Sequence, residues 1–294
     1  DPTRVLNDTQ GICGNDISAL LMRRSESFFV FRIQGGMVVE DKRWLRLLQP
    51  GITAIVGAGG KTTVLERLVA YGHGANLPVA VSTTAEADGE RLAEIEDLDI
   101  ICTNDREEGE AFCIEKMNAH RVPAWFSSVS EEGIYKGIDA DTLEWLRVRH
   151  PAWYMIVEAD GAHHKWLKAP LPEEAPIPQD CDTLIGVVNL QMLGSSITDE
   201  RVAGAEQAAL IMNRPTGAIV TPALLAKLLT HPRGLFRTSA SRRVLFCSGY
   251  NAVQHRMTEA LLDDLEELDL QVIVLADGYK DTCTIRQYIS QDSR

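Results

Sequence analysis

The sequence predicts an α/β fold in three layers, a mostly parallel sheet covered by helices on both faces. Three observations point there. Apolar runs at residues 52–56, 153–157 and 183–189 lack the alternation of a half-exposed strand, so each reads as a strand buried on both sides. Segments with helical spacing of apolar residues separate such runs, the pattern that puts parallel strands into one sheet. A glycine-rich turn joins the first run directly to a helix.

Taken in order, residues 40–48 carry Trp44, Leu45, Leu47 and Leu48 in a short helical pattern that Pro50-Gly51 ends. The strand at 52–56 follows, then the glycine turn and a helix to about Tyr71, stopped by Gly72 and Gly74. Residues 78–82 predict a second strand leading into Thr83-Thr84, residues 86–96 a short acidic helix, and residues 98–102 a third strand. Residues 105–110 read as a polar break, and 121–138 give no clear period. A helix at 141–150 ends at Pro151, and the strand at 153–157 ends in Glu158-Ala159-Asp160-Gly161. Beyond the strand at 183–189 come a helix at 200–212 and a second one that Thr221-Pro222 caps and starts, running through Leu229. A strand at 243–247, an amphipathic helix at 251–268 and a last strand at 271–276 complete the pattern. Met37, after Gly35-Gly36, is a sensible start for the main domain, so residues 1–36 read as an extension outside a core domain at 37–294.

Residues 52–63 organise the rest. The turn Gly57-Ala58-Gly59-Gly60-Lys61-Thr62-Thr63 joins strand to helix, the layout of a phosphate-binding loop. Glycines let successive N–H groups point at one anion, and the helix N-terminus adds partial positive charge at the same place. In that reading Lys61 reaches the outer phosphates and the Thr62 hydroxyl holds Mg²⁺. The spacing is the short Gly57-x-x-Gly60-Lys61-Thr62, because Ile55 stands where the longer loop needs glycine; it is similar to the loop of the Mur-type peptide ligases. Four matches at fixed spacing arise by chance in about one chain of this length per hundred, before the flanking strand and helix are counted.

Ligands gather at the carboxyl ends of strands in open parallel sheets. Glu158 and Asp160 sit at such an end and are candidates to hold or bridge to Mg²⁺, one of them directly, or to act in catalysis with Lys61. Thr83 and Thr84 end the second strand, close to the phosphate loop, where a hydroxyl could orient Mg²⁺ or the attacking group or could equally be an ordinary strand end. Lys165 and Lys168, with His163-His164, follow the acidic turn and could meet a second anion or be exposed loop charge. Glu173 and Glu174 lie in a proline-rich loop that reads as solvated charge. The chain has no Asn-Lys-x-Asp segment of the kind that reads guanine, so ATP is the default over GTP.

Composition narrows the classes. With 294 residues, 45% hydrophobic and 24% charged, the chain suits an ordinary globular fold. A formal net charge of −13 argues against nucleic acid as a partner. No apolar stretch approaches the roughly 20 residues of a membrane span. The six cysteines show no Cys-x-x-Cys pair, which suits free thiols in a reducing cytoplasm.

Several stretches together resemble the YqeC family. They are 56–63, 157–162 continuing to Leu167-Lys168-Ala169-Pro170 and Ile177-Pro178, then 186–190 with Leu193-Gly194, and Thr221-Pro222 through 231–235. The resemblance runs from about Gly51 to Cys247 and leaves residues 1–36 outside it. It implies a phosphate-loop nucleotide-binding fold and an accessory role in preparing a selenium-containing molybdenum cofactor for molybdenum hydroxylases. A hydroxylase or a cofactor-assembly protein is then the implied partner. The expectation is a Mg²⁺-dependent ATP-binding and hydrolysing maturation factor. Its rivals are an ATP-dependent small-molecule ligase or kinase and a non-hydrolysing nucleotide switch.

Overall fold

A computed structural model describes residues 28–33, 36–161, 165–171, 177–179, 181–266 and 268–290. The chain separates into a unit up to Arg43 and a unit from Trp44 onward. In the first unit, β1 (Phe28–Ile33) and β2 (Gly36–Asp41) form an antiparallel hairpin, and Met37 falls inside β2. One helical turn, α1 (Lys42–Leu45), follows it.

The larger unit is built on β3 (Gly51–Gly57), buried at every position and feeding α2 (Lys61–Gly74). Next come β4 (Val79–Thr83), β5 (Glu86–Asp88), α3 (Gly89–Leu92), β6 (Leu98–Cys102), α4 (Arg106–Asn118) and β7 (Val122–Phe126). The short β8 (Ser128–Val129) and β9 (Ile134–Lys136) lead to α5 (Ala140–Arg149), β10 (Tyr154–Glu158), β11 (Leu167–Lys168) and β12 (Cys181–Asn189). The chain closes with β13 (Val202–Ala203), α6 (Ala205–Met212), α7 (Pro222–Thr230), β14 (Ala240–Ser248), α8 (His255–Asp264), β15 (Val272–Asp277) and β16 (Thr284–Ser290).

Nine strands form the central sheet in the order β16-β15-β14-β12-β3-β10-β4-β7-β6. All pair in parallel except β16, which runs antiparallel along β15. The strand carrying the glycine turn therefore lies between β10, which ends in Glu158, and β12, which ends in Asn189. Successive side chains go to opposite faces. Ile52, Ala54 and Val56 join one core with Met155, Val157, Leu184 and Val188, against α5, α6, α7 and α8. Ile55, Ile156, Ile185 and Val187 join the other with Val64, Leu65 and Leu68 of α2. Three layers are the result.

Two local details fix the entry of β3. The Asp182 carboxylate accepts the Ile52 N–H at 2.8 Å, and a Cβ at Gly51 would lie 2.0 Å from that carboxylate. On α2, a Cβ on Gly72 would come within 2.7 Å of Val79, so glycine lets this helix sit close to β4.

Several expected boundaries change. The acidic helix expected at 86–96 is instead the strand β5 and one helical turn, because 86–88 pair with β9 and Asp88 caps the N–H of Glu90. The expected polar break at 105–110 opens the 13-residue helix α4; Asp105 caps Glu107 and Glu108, and the charged residues form an exposed first turn. The patternless 121–138 holds three strands, of which β7 is buried throughout. Of the helix expected at 200–212, the first part is β13 and only 205–212 is helical. The amphipathic helix expected at 251–268 is shorter, a 3-10 turn at Ala252–Gln254 and then α8, and Val253 lies on the surface. Replacing Asp105 by Ala is expected to cost about 1 kcal/mol by loss of the cap, read from urea unfolding with an unchanged slope.

Candidate phosphate-binding site

The turn after β3 takes a shape that only glycine accepts easily. Gly57, Gly59 and Gly60 have φ of 96°, 81° and 136°. A Cβ on Gly59 would stand 2.5 Å from Cβ of Asn189 and 2.9 Å from the Trp166 carbonyl, so the turn is also wedged against its neighbours. Two of its N–H groups are already engaged. Gly57 N donates to Asp160 Oδ2 at 2.9 Å, and Ala58 N to the Val187 carbonyl at 2.9 Å. The N–H groups of Gly59, Gly60, Lys61 and Thr62 have no acceptor among the described residues, and they stand at the N-terminus of the 14-residue α2. Of the expected cradle at 57–63, Gly57 and Ala58 thus have their N–H groups engaged within the protein.

Lys61 is buried, with 5% of its side chain exposed, and turns inward. Its ammonium donates to the Gly57 carbonyl at 3.0 Å and lies 3.0 Å from Asp160 Oδ1 and 3.4 Å from Glu158 Oε1. Burial works against the charged form, yet Asp160 and Glu158 outweigh it and hold the Lys61 pKa above its ordinary value. Burial raises the Glu158 pKa, Lys61 pulls it down, and Asp160 adds to the rise. Glu158 keeps 19% of its side chain exposed and lines a cleft over the turn. Asp160 is fully buried beneath the turn and does not line that cleft. Of the two carboxylates, one of which was expected to reach Mg²⁺ directly, Glu158 thus faces the cleft and Asp160 does not.

The threonines divide similarly. Thr62 and Thr63 both line the cleft; Thr62 is half-buried, while the Thr63 hydroxyl is buried with no hydrogen-bond partner among the described residues. The Thr83 hydroxyl donates to the Glu158 carbonyl at 2.6 Å and accepts the Ala85 N–H at 3.0 Å, a brace between β4 and β10. Thr84 donates its N–H to the same carbonyl at 3.1 Å, and its buried hydroxyl has no partner among the described residues. Lys165 and Lys168 line the cleft, and Lys168 is buried against Asp160 at 3.6 Å. His163, His164, Glu173 and Glu174 lie outside the described residues.

The cleft has a volume of about 1100 Å³ and opens at the carboxyl ends of β3, β4, β10, β12, β14 and β15. Ser248, whose hydroxyl donates to the Gly59 carbonyl, and Asn189 support the turn from β14 and β12. At the mouth, Arg91 donates to the Tyr279 hydroxyl at 2.8 Å and lies 3.7 Å from Glu66, and Lys280 reaches Glu94 at 2.6 Å. None of these residues belongs to the site that the sequence predicts. Ser248 and Asn189 were visible as polar residues ending apolar strands, whereas Arg91 and Tyr279 are far apart in the chain and left no local signal. Among the described residues, no group of His, Cys, Asp or Glu is arranged to hold a metal by itself, and no helix is long and apolar enough to cross a membrane.

The YqeC protein family model matches residues 53–206, just over half of the chain and the whole stretch from the turn to β13. The chain belongs to the YqeC family. A relative described as "Uncharacterized protein YqeC", from Escherichia coli (strain K12), is 24% identical over 249 residues, which is 82% of this chain and 93% of the relative. Among solved structures, FlhF complexed with GMPPNP/Mg(2+) aligns over 84% of this chain and 74% of its own, with 11% identity and a TM-score of 0.39, too loose a likeness to carry an argument about the site. In this YqeC chain, Gly59→Ala is expected to cost more than Gly60→Ala, where the added Cβ meets nothing nearer than 3.6 Å. Both substitutions also carry backbone strain, on the order of 1–3 kcal/mol, because φ is 81° at Gly59 and 136° at Gly60. Thermal unfolding of the two variants side by side checks the difference.

Proposed function

We propose that this YqeC chain binds a nucleoside triphosphate with Mg²⁺, ATP rather than GTP, and hydrolyses it to drive a maturation step. The observation that supports the reading most is the glycine cradle, with unengaged N–H groups from Gly59 to Thr62 at the start of α2 and a buried lysine within it. Those N–H groups receive the phosphates, and Lys61 turns from the carboxylates toward the outer ones. The orphaned Thr63 hydroxyl suits a further phosphate oxygen. Thr62 and Glu158 both face the cleft and hold Mg²⁺, which when bound supplies neutralising charge at the outer phosphates. Glu158, at the edge of the cleft, is also placed to orient an attacking water. The role that the resemblance to the YqeC family implies completes the proposal: preparing selenium-dependent molybdenum hydroxylases, with a hydroxylase or cofactor-assembly protein as partner, in the cytoplasm.

One observation favours a second reading, an ATP-dependent ligase or kinase. The cleft, at about 1100 Å³, exceeds the roughly 300–1,000 Å³ typical of a site for one small ligand, which leaves room for an acceptor beside the nucleotide. The two readings separate by turnover, since a ligase or kinase stays slow until its acceptor is added. In titrations with ATP and GTP, with and without Mg²⁺, Lys61→Ala is expected to weaken triphosphate binding and lower phosphate release at least about a hundredfold. Unchanged release would remove Lys61 from the site. Glu158→Gln is expected to raise the Mg²⁺ concentration needed for half-maximal turnover while leaving binding of metal-free nucleotide near the parent value, by magnesium titration at fixed ATP.

A further inference from the structure

We propose that Lys168 is a positioning residue that takes over the Asp160 carboxylate when Lys61 leaves it for a bound triphosphate. The inference rests on the nucleotide-binding reading and adds how Lys61 is released.

The resting arrangement poses a problem for a phosphate-binding lysine. Three groups hold the Lys61 ammonium: the Gly57 carbonyl and Asp160 beneath the turn, and Glu158 at the edge of the cleft. To meet a phosphate the ammonium has to turn out of that nest. Asp160 cannot follow, because its Oδ2 accepts the Gly57 N–H that shapes the turn. Its Oδ1 lies 3.0 Å from Lys61 and takes no hydrogen bond from another described residue. Departure of Lys61 would therefore leave a fully buried carboxylate without its main counter-charge, a state strongly disfavoured away from water. Without compensation, that penalty would subtract directly from the affinity for phosphate.

Lys168 is placed to remove it. Its side chain is 2% exposed, its ammonium lies 3.6 Å from Asp160 Oδ2, and it donates to the Gly161 carbonyl. It comes from β11, which pairs with β13 and not with the phosphate turn, so it can stay in place while Lys61 moves. An approach of about 0.8 Å brings 3.6 Å to the 2.8 Å of a charge-assisted hydrogen bond. When Lys61 turns to the phosphates and Glu158 to Mg²⁺, Lys168 stays beside Asp160 and keeps a positive charge next to the buried carboxylate. A single lysine could not serve both places.

The test uses the full chain and MgATP, with affinity from calorimetry and turnover from phosphate release, for wild type, Lys168→Met, Lys168→Arg, Asp160→Asn and the double variant Asp160→Asn/Lys168→Met. Lys168→Met is expected to bind MgATP about tenfold or more weaker, with a smaller change in kcat for nucleotide already bound. Lys168→Arg is expected to restore most of the affinity. Asn at 160 keeps an oxygen for the Gly57 N–H but needs no counter-charge, so the double variant is expected to bind within about threefold of Asp160→Asn alone. A merely structural role for Lys168 would not be relieved by neutralising Asp160. Wild-type affinity in a folded Lys168→Met overturns the handover and leaves the nucleotide site standing, as does a loss of equal size in the presence and absence of the Asp160 charge. If Lys168→Met does not fold, a folded Lys168→Arg that binds tenfold weaker than wild type overturns it instead. If wild type binds neither MgATP nor MgGTP, the nucleotide reading falls and the handover with it.

Discussion

Everything around the turn depends on one buried carboxylate. Asp160 holds the Gly57 N–H with one oxygen and the Lys61 ammonium with the other, so the loop from β10 sets the shape of the loop from β3. The arrangement is possible because β10 and β3 are parallel neighbours, which brings both carboxyl ends to the same edge of the sheet. It persists because the site is dry enough for the ions to need one another. The same dryness makes Lys61 bind its carboxylates firmly and makes any unpaired charge there expensive.

The fold was legible where apolar runs were long and unbroken. Residues 52–56, 154–157 and 183–189 lie in β3, β10 and β12, the three central strands, because a strand buried on both faces is mostly apolar along its length. Reading failed where hydrophobicity was low. Helix α4 buries only Gly109, Glu110 and Cys113 fully, so its stripe is faint, and the capping aspartate was the sole local sign of its start. The strand β7 contains Pro123 and was obscured by the glycine, proline and serine residues around it. The long apparent helix at 251–268 shows the opposite error, since its apolar spacing takes in Val253, exposed in a 3-10 turn, and Leu265 and Leu268, which pack on the core from beyond the helix end.

For the site, the sequence located the turn, Lys61 and the acidic pair, because each is a short local pattern at the end of an apolar run. It did not separate Glu158 from Asp160. Two residues apart, they would point the same way only on an extended chain, and which one enters the cleft is settled by the N–H of Gly57, a contact across 103 positions. Lys168 and Thr83 were ambiguous for the same reason. Lys168 is set by the pairing of β11 with β13 and by Asp160, Thr83 by the Glu158 carbonyl of β10, and burial alone distinguishes a structural threonine from an exposed one. Arg91 and Tyr279, joined across the mouth, belong to parts of the chain that carry no motif.

The antiparallel β16 carries a consequence for solubility. It pairs along the whole of β15, whose Val272, Ile273, Val274, Leu275 and Ala276 are all buried. Without it, β15 would stand at the rim of the sheet as an unbroken hydrophobic ribbon with a free row of backbone donors and acceptors, inviting a strand from another molecule. The opposite rim, β6, needs no such cover: it is five residues long and carries Asp99 in the grip of Arg121. The closing segment of the fold thus serves as a hem, finishing the one side of the fabric that would otherwise fray into aggregates.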